Sequence, residues 1–436
     1  MSIKTIKVKL WGSTIGYLHE QTNSLIGFQY DADFISSGIE VSPVKMPLSS
    51  TTYTFPSLSE ITFKGLPGMV ADSLPDKFGN IVIKKFLESQ GRPEDSLTSI
   101  ERLCYTGKRG MGALEYEPAV DVVNVSEQVD IDALTKLASE ILSNKEKMHV
   151  KQDDAMISQL MQCSSSVGGA RAKTLIAWNP ETGDIRSGQI DAGLGYEYWL
   201  LKFDGIDNNK DKDEVPDENE YTKIEYAYYL MAKDAGIKMS ECRLYKENGR
   251  SHFMTKRFDR KGTKGEKLHM QSLCAIAHMD FNAPRSNSYE DAFGILRLLG
   301  LPRSSFVQLY KRMLFNEYAK NFDDHTKNIS FLMNKKGEWS LAPAYDITFS
   351  YRKSSPWVSA HQMLINGKAD GITKEDLLCV ATAAGIKQSQ ALKCMEEVLS
   401  SISKWEAFAQ EAGLGAKNTA RIKNHFPPHV FNEQHI

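Results

Sequence analysis

At 436 residues the chain is too long for one ordinary core, so two or three domains are expected. Its 53 basic and 55 acidic residues leave a formal net charge of -2, which excludes a global electrostatic drive toward nucleic acid or anionic membrane. The six cysteines are scattered and form no C-x-x-C pair, which argues against a disulfide framework or structural zinc site and fits a reducing cytoplasm.

Residues 1 to about 120 read as β-rich. The first ten residues alternate basic and apolar like a hairpin or edge strand and lack the apolar core of a signal peptide. No apolar run approaches the ~20 residues a membrane helix needs, so a cytoplasmic location is expected. Turn signals follow at Trp11-Gly12-Ser13, Ser42-Pro43 and Phe55-Pro56. One helix is expected from near Pro75 through Leu87, and Gly110 to Tyr116 reads as a closing strand. This region shows no catalytic constellation and reads as a packing and interaction module.

From about residue 125 the spacing becomes helical, over Ile131 to Leu142 and then in a short helix ending near Cys163. The next segment is Ser164-Ser165-Ser166-Val167-Gly168-Gly169-Ala170-Arg171-Ala172-Lys173. Two adjacent glycines let backbone N–H groups approach an anion, and Lys173 adds a point charge. A Walker A loop is excluded because Val167 and Ala172 stand where its glycines belong. Taken alone, the segment fits a tight turn as well as a phosphate cradle. A strand is expected over Thr174 to Trp178, followed by a turn over Asn179 to Asp184.

The apolar strand Tyr198 to Phe203 carries Lys202, as a kinase strand carries the lysine that meets the α- and β-phosphates. An edge lysine facing water is the plain alternative. The acidic stretch Asp204 to Asp217 lacks the Gly and final Glu of an EF-hand and reads as a solvated loop. A helix is expected over Tyr221 to Ala235, with Glu225 on a face able to turn toward Lys202. Phe253 to Arg260 fits a strand running into a linker between two lobes. Beyond it the chain turns helical, over Tyr289 to Leu299, Ser304 to Glu317, Lys374 to Ala384, Gln388 to Ser400 and Ser403 to Glu411.

The most informative stretch is Asn321-Phe322-Asp323-Asp324-His325-Thr326-Lys327-Asn328, followed by Leu341-Ala342-Pro343-Ala344-Tyr345-Asp346-Ile347. A carboxylate, an amide five residues on and a second carboxylate beyond a hairpin give the order that phosphoryl transfer from ATP needs. The step from Asp323 to Asn328 equals that of the kinase loop H-R-D-x-x-x-x-N, whereas Asp324 lies one residue too close. Asp323 is therefore the expected base. The hairpin is expected as strand Ile329 to Met333, turn Asn334 to Gly337 and returning strand Trp339 to Leu341. Isolated, such Asp and Asn residues are ordinary turn formers; Asp346 after an apolar strand tips the reading toward chemistry.

Together these residues resemble the HipA family of serine/threonine kinases, the toxins of HipBA-type toxin–antitoxin pairs. Gly68 to Phe78, with Asp72-Ser73-Leu74-Pro75-Asp76, and Gly110 to Leu114 resemble the N-terminal HipA domain. Ser166 to Ala170 with Lys173, Arg257-Phe258-Asp259-Arg260, Asn321 to Asn328 and Tyr345-Asp346 resemble its glycine loop, linker, catalytic and metal motifs. The resemblance implies Asp323 as catalytic residue and Asn328 and Asp346 as magnesium ligands. It implies an ATP site from Val167, Gly168, Gly169, Ala170, Arg171, Ala172, Lys173, Lys202, Lys256, Arg257, Phe258, His325, Thr326, Lys327, Asn328, Tyr345 and Asp346. Ser166 would be the autophosphorylation site, with Ser164 and Ser165 as neighbours able to take its place. Arg171, Ala172 and Lys256 depart from the residues common at those positions.

The expected fold is α+β and kinase-like. A β-rich subdomain spans 1-120, an N-lobe 121-257, and a helical C-lobe 258-436. ATP and magnesium are the implied cofactors. A small helix-turn-helix antitoxin of the HipB type, operator DNA through that antitoxin, and an aminoacyl-tRNA synthetase as substrate are the implied partners, with no membrane. Asp323-x-His325-x-x-Asn328 also fits the loop of phosphoinositide kinases apart from Asp324, which leaves a lipid or small-molecule kinase as an alternative. A pseudokinase corepressor or scaffold is another.

Overall fold

The computed structural model describes residues 3–22, 25–93, 97–120, 128–142, 154–164, 171–206, 220–262 and 264–431. The chain divides into two compact units. The first comprises Met1–Asp217, Tyr245–Gln271 and Leu332–Glu338, and the second Glu218–Leu244, Ser272–Phe331 and Trp339–Ile436.

The first unit opens with the strands Thr5–Leu10, Ser13–Glu20 and Ile26–Tyr30, closed by Leu114–Glu117 against the first strand. Ile6, Val8 and Leu10 face inward, while Thr5 and Lys7 point to solvent, the period of two that a half-buried strand requires. Val8 lies opposite Gly16, where a Cβ would sit 2.3 Å from the Gln29 carbonyl and against the Phe28 ring. Only glycine fits there.

Helices share this region with the sheet. The helix Lys77–Ser89 starts where Asp76 accepts the Gly79 N–H at 2.6 Å. Ser99–Thr106 begins at a capping box formed by Thr98 and Glu101. The first of these helices buries Phe78, Val82, Ile83, Phe86 and Leu87 in a core shared with Leu134 and Leu160 of the following helices. Ile176, Trp199 and Leu201 of a second sheet complete that core. Residues on both sides of position 120 thus belong to one core.

The second sheet has five strands, in the order Ile185–Ser187, Lys173–Trp178, Glu197–Lys202, Arg250–Lys256 and Cys242–Glu247. The expected strands Thr174–Trp178 and Tyr198–Phe203 are both present, the first reaching back to include Lys173, as antiparallel neighbours with Lys173 and Lys202 opposite each other.

The second unit is mainly helical. Its helices are Tyr221–Asp234, Leu273–Ala277, Tyr289–Leu298, Arg303–Tyr318, Lys374–Ala383, Gln388–Ile402, Trp405–Glu411 and Ala416–Lys423. Tyr228 centres its core, edge-on to Phe315 and Trp405, with its hydroxyl donating to the Ala319 carbonyl at 2.6 Å. Sheets in the N-terminal region and helices in the C-terminal half match the expected fold class. Among the described residues no helix is long and apolar enough to cross a membrane.

Candidate active site

The candidate site lies in the second unit and begins where the helix Arg303–Tyr318 stops. Lys320 takes a positive φ of 56°, and the next residues are tied to Ser350, whose carbonyl accepts the Phe322 N–H at 3.0 Å. The chain then presents two successive carboxylates with opposite surroundings.

Asp324 is buried. It accepts from the Tyr289 hydroxyl at 2.9 Å and the Gln362 N–H at 2.8 Å, and it meets His361 Nδ1 at 2.7 Å. Burial alone would raise its pKa, but His361 and these hydrogen bonds hold it below the usual carboxylate range. The other ring nitrogen of His361 meets Glu317 at 2.9 Å. Burial alone would depress His361, yet Asp324 and Glu317 outweigh it and hold the imidazole up at about 9. Asp324 is therefore spent on structure.

Asp323 faces outward, its side chain 27% exposed. Its Oδ1 accepts from Gln362 Nε2 at 2.7 Å and lies 3.8 Å from His325 Nε2. Its carbonyl accepts from Asn328 Nδ2 at 2.8 Å. That bond commits the amide nitrogen of Asn328 and leaves its amide oxygen as the atom able to meet a cation.

The turn Thr326–Asn328 leads into the strand Ser330–Met333, a turn, and the strand Trp339–Leu341, the elements the sequence indicated. The Ala344 N–H is held by the Lys238 carbonyl at 2.8 Å. Tyr345 then reaches back, donating to the Lys327 carbonyl at 2.7 Å and sharing a hydrogen bond with Ser330. Its hydroxyl staples the two motifs together. Asp346 adopts φ 52°, a left-handed turn that aspartate tolerates better than most residues.

Asn328 and Asp346 line one cavity of about 20 Å³ together with His325, Asn321, Arg312 and Tyr345. Among the described residues no group of three His, Cys, Asp or Glu side chains forms a metal cage. One carboxylate and one amide oxygen suit magnesium, which keeps waters and phosphate oxygens in most of its coordination positions. The residues present fit that ion.

The remaining expected site residues fall in three groups. Thr326 is buried and donates to the Met279 carbonyl at 2.7 Å, while the Lys327 ammonium sits 5.2 Å from the Phe281 ring. In the first unit Lys173 and Lys202 are both buried, and Lys173 lies 3.4 Å from the Asp76 carboxylate. Ala172 is buried, Arg171 is partly exposed, and Lys256 pairs with Glu197 at 2.5 Å. The Arg257 side chain is buried against Asp259 and the Gly188 carbonyl, so a nucleotide contact there would fall to its backbone, as to that of Phe258. Ser165, Ser166, Val167, Gly168, Gly169 and Ala170 lie outside the described residues.

Sequence reasoning missed Gln362, His361, Glu317 and Tyr289. Gln362 and His361 come from a loop with no periodicity and meet the motif across more than 35 positions, so no local signal marked them. Asp76 carried a readable signal, an Asp just before a helix.

Comparison with known proteins identifies the family. The family described as HipA N-terminal domain matches residues 6–117, and that described as HipA-like C-terminal domain matches residues 165–406. Among solved structures, a chain of the Shewanella oneidensis MR-1 complex of HipA, HipB and operator DNA aligns at TM-score 0.65 and 16% identity. That match covers 96% of this chain and 95% of the other. The Helicobacter pylori proinflammatory kinase CtkA aligns at TM-score 0.33 and 12% identity over 53% of this chain and 88% of its own. With both domains matched and the larger match alone spanning more than half its length, this chain belongs to the HipA family of toxin–antitoxin proteins.

Proposed function

We propose that this chain is an ATP- and magnesium-dependent protein serine/threonine kinase that acts as the toxin of a toxin–antitoxin pair. The observation that carries the reading is the division of labour between adjacent carboxylates. Asp324 is buried and paired, whereas Asp323 is partly exposed, held at one oxygen, and linked through its own carbonyl to the proposed metal ligand Asn328.

In the reaction, the acceptor hydroxyl oxygen forms a bond to the γ-phosphorus of ATP as the bond to the β–γ bridging oxygen breaks. ADP leaves, and the hydroxyl proton passes to the Asp323 carboxylate. Asn328 and Asp346 would hold magnesium, which neutralises charge developing on the phosphate oxygens. Tyr345 keeps those two ligands in register by tying the segment before Asp346 to the carbonyl before Asn328. Lys202, Lys173 and the glycine loop would supply the phosphate contacts of the first unit.

Family membership supports the proposed partners. The Shewanella oneidensis structure contains HipB and operator DNA with HipA, and we extend that assembly to a small helix-turn-helix antitoxin for this chain. An aminoacyl-tRNA synthetase is the proposed substrate, and Ser166 the proposed autophosphorylation site. Phosphate there adds about -1.5 to -2 charges beside a loop that binds triphosphate, so it should lower ATP affinity.

The test is phosphopeptide mapping of host-cell lysate after incubation with ATP, magnesium and either wild type or Asp323→Ala. Serine phosphopeptides from a translation component, present only with the wild type, are expected, along with label at residues 164–166. Identical maps from the two proteins would overturn the reading and leave a scaffold or corepressor.

A further inference from the structure

We propose that Gln362 is the positioning residue for the acceptor base, its side-chain amide holding one oxygen of Asp323 while a buried charge cluster holds Gln362 itself. The inference rests on the kinase reading above and deepens it.

Three bonds define the residue. Its Nε2 donates to Asp323 Oδ1 at 2.7 Å. Its N–H donates to Asp324 Oδ1 at 2.8 Å, and its carbonyl accepts the Arg285 N–H at 2.7 Å. One residue thus grips both carboxylates of the motif, the backbone on Asp324 and the side chain on Asp323. Behind it, His361 lies between Asp324 at 2.7 Å and Glu317 at 2.9 Å, with its ring centre 4.3 Å from that of Phe322. Lys320 extends the cluster by donating to Glu317 at 3.2 Å. A side chain mounted on such a base has little freedom to drift.

The amide has one workable orientation. Turned over, it would set its oxygen against the Asp323 carboxylate, acceptor against acceptor. In the orientation adopted, Oε1 is buried without a hydrogen-bond partner, and Gln362 as a whole is 3% exposed. An unsatisfied buried carbonyl destabilises a fold. An apolar side chain of the same length would avoid that penalty, so folding alone does not favour glutamine here. What glutamine adds is an N–H aimed at Asp323. A partly exposed aspartate on a loop samples several rotamers, and fixing one oxygen keeps the carboxylate in the narrow geometry that proton removal needs. The effect should therefore appear in turnover rather than in nucleotide binding.

Gln362→Met keeps the length and removes the donor. Its kcat for phosphoryl transfer is expected to fall about 10- to 100-fold, with KM for ATP within about twofold and thermal stability preserved. In an Asp323→Ala background the same substitution should add no further loss, because the two residues act as one unit. A merely structural role would instead lower turnover by the same factor in both backgrounds. That result, or wild-type turnover by Gln362→Met, overturns the inference. If Gln362→Met does not fold, Gln362→Glu takes its place, and the same turnover loss is expected with ADP binding intact; wild-type turnover by that variant overturns the inference. Absence of transfer by the wild type removes the kinase reading and this inference together. An inactive Asp323→Ala beside a fully active Gln362→Met removes the inference alone.

Discussion

At the scale of single residues, burial decides what each carboxylate of the Asp-Asp pair does. Removing Asp324 breaks a buried charge cluster, so Asp324→Ala is expected to lower stability by about 3 kcal/mol. Removing the partly exposed Asp323 should cost under about 1 kcal/mol. Urea unfolding of the two variants measures that contrast, and equal losses would contradict it. His361 adds a pH signature. Its folded pKa of about 9 stands above the ordinary 6.5, so the cation stabilises the folded form fully below about pH 6.5. That contribution is lost as pH rises through about 9. The urea midpoint of the wild type should therefore decline across that window, and His361→Gln should flatten the decline.

At the scale of elements, helix starts carry more than local structure. Asp76 both caps Lys77–Ser89 and lies 3.4 Å from the buried Lys173 ammonium. Asp76→Asn keeps a capping oxygen but loses the charge, whereas Asp76→Ala loses both. The alanine variant is expected to be the less stable by about 1 kcal/mol in urea titration; equal midpoints would show that the cap contributes nothing. This helix was legible in the sequence because Pro75-Asp76 precedes a clear apolar period. Ser99–Thr106 was missed although Thr98 and Glu101 spell its capping box. Leu273–Ala277 and Ala416–Lys423 were missed because five and eight residues hold too few turns to show a period. The hairpin and the Asp323–Asn328 spacing were legible because both are local. The supports around them, Gln362, His361 and Tyr289, were not, since each reaches the motif from a distant part of the chain.

At the scale of the whole molecule, the two family domains do not fall one to each compact unit. Residues matched to the N-terminal domain share a core with the five-stranded sheet and are pinned to it by a buried cluster. Asp259 there accepts from Arg257 at 2.9 Å, from Arg260 at 2.7 Å and from the Gly112 N–H at 2.7 Å. In sequence this segment looked like a linker between lobes; side-chain burial makes it a fastener within the first unit. Asp259→Ala is expected to lower the stability of that unit by at least about 3 kcal/mol, since two guanidinium groups lose a shared buried partner. A loss under about 1 kcal/mol in the unfolding transition of the first unit would contradict this role.

The most direct measurement is transfer of labelled phosphate from ATP–magnesium by purified wild type and Asp323→Ala, with ADP affinity determined on the same samples. The account predicts transfer by the wild type, a loss of at least about 100-fold in the variant, and equal ADP affinity in both. Undiminished transfer by Asp323→Ala, or a wild type that binds no nucleotide, would contradict it.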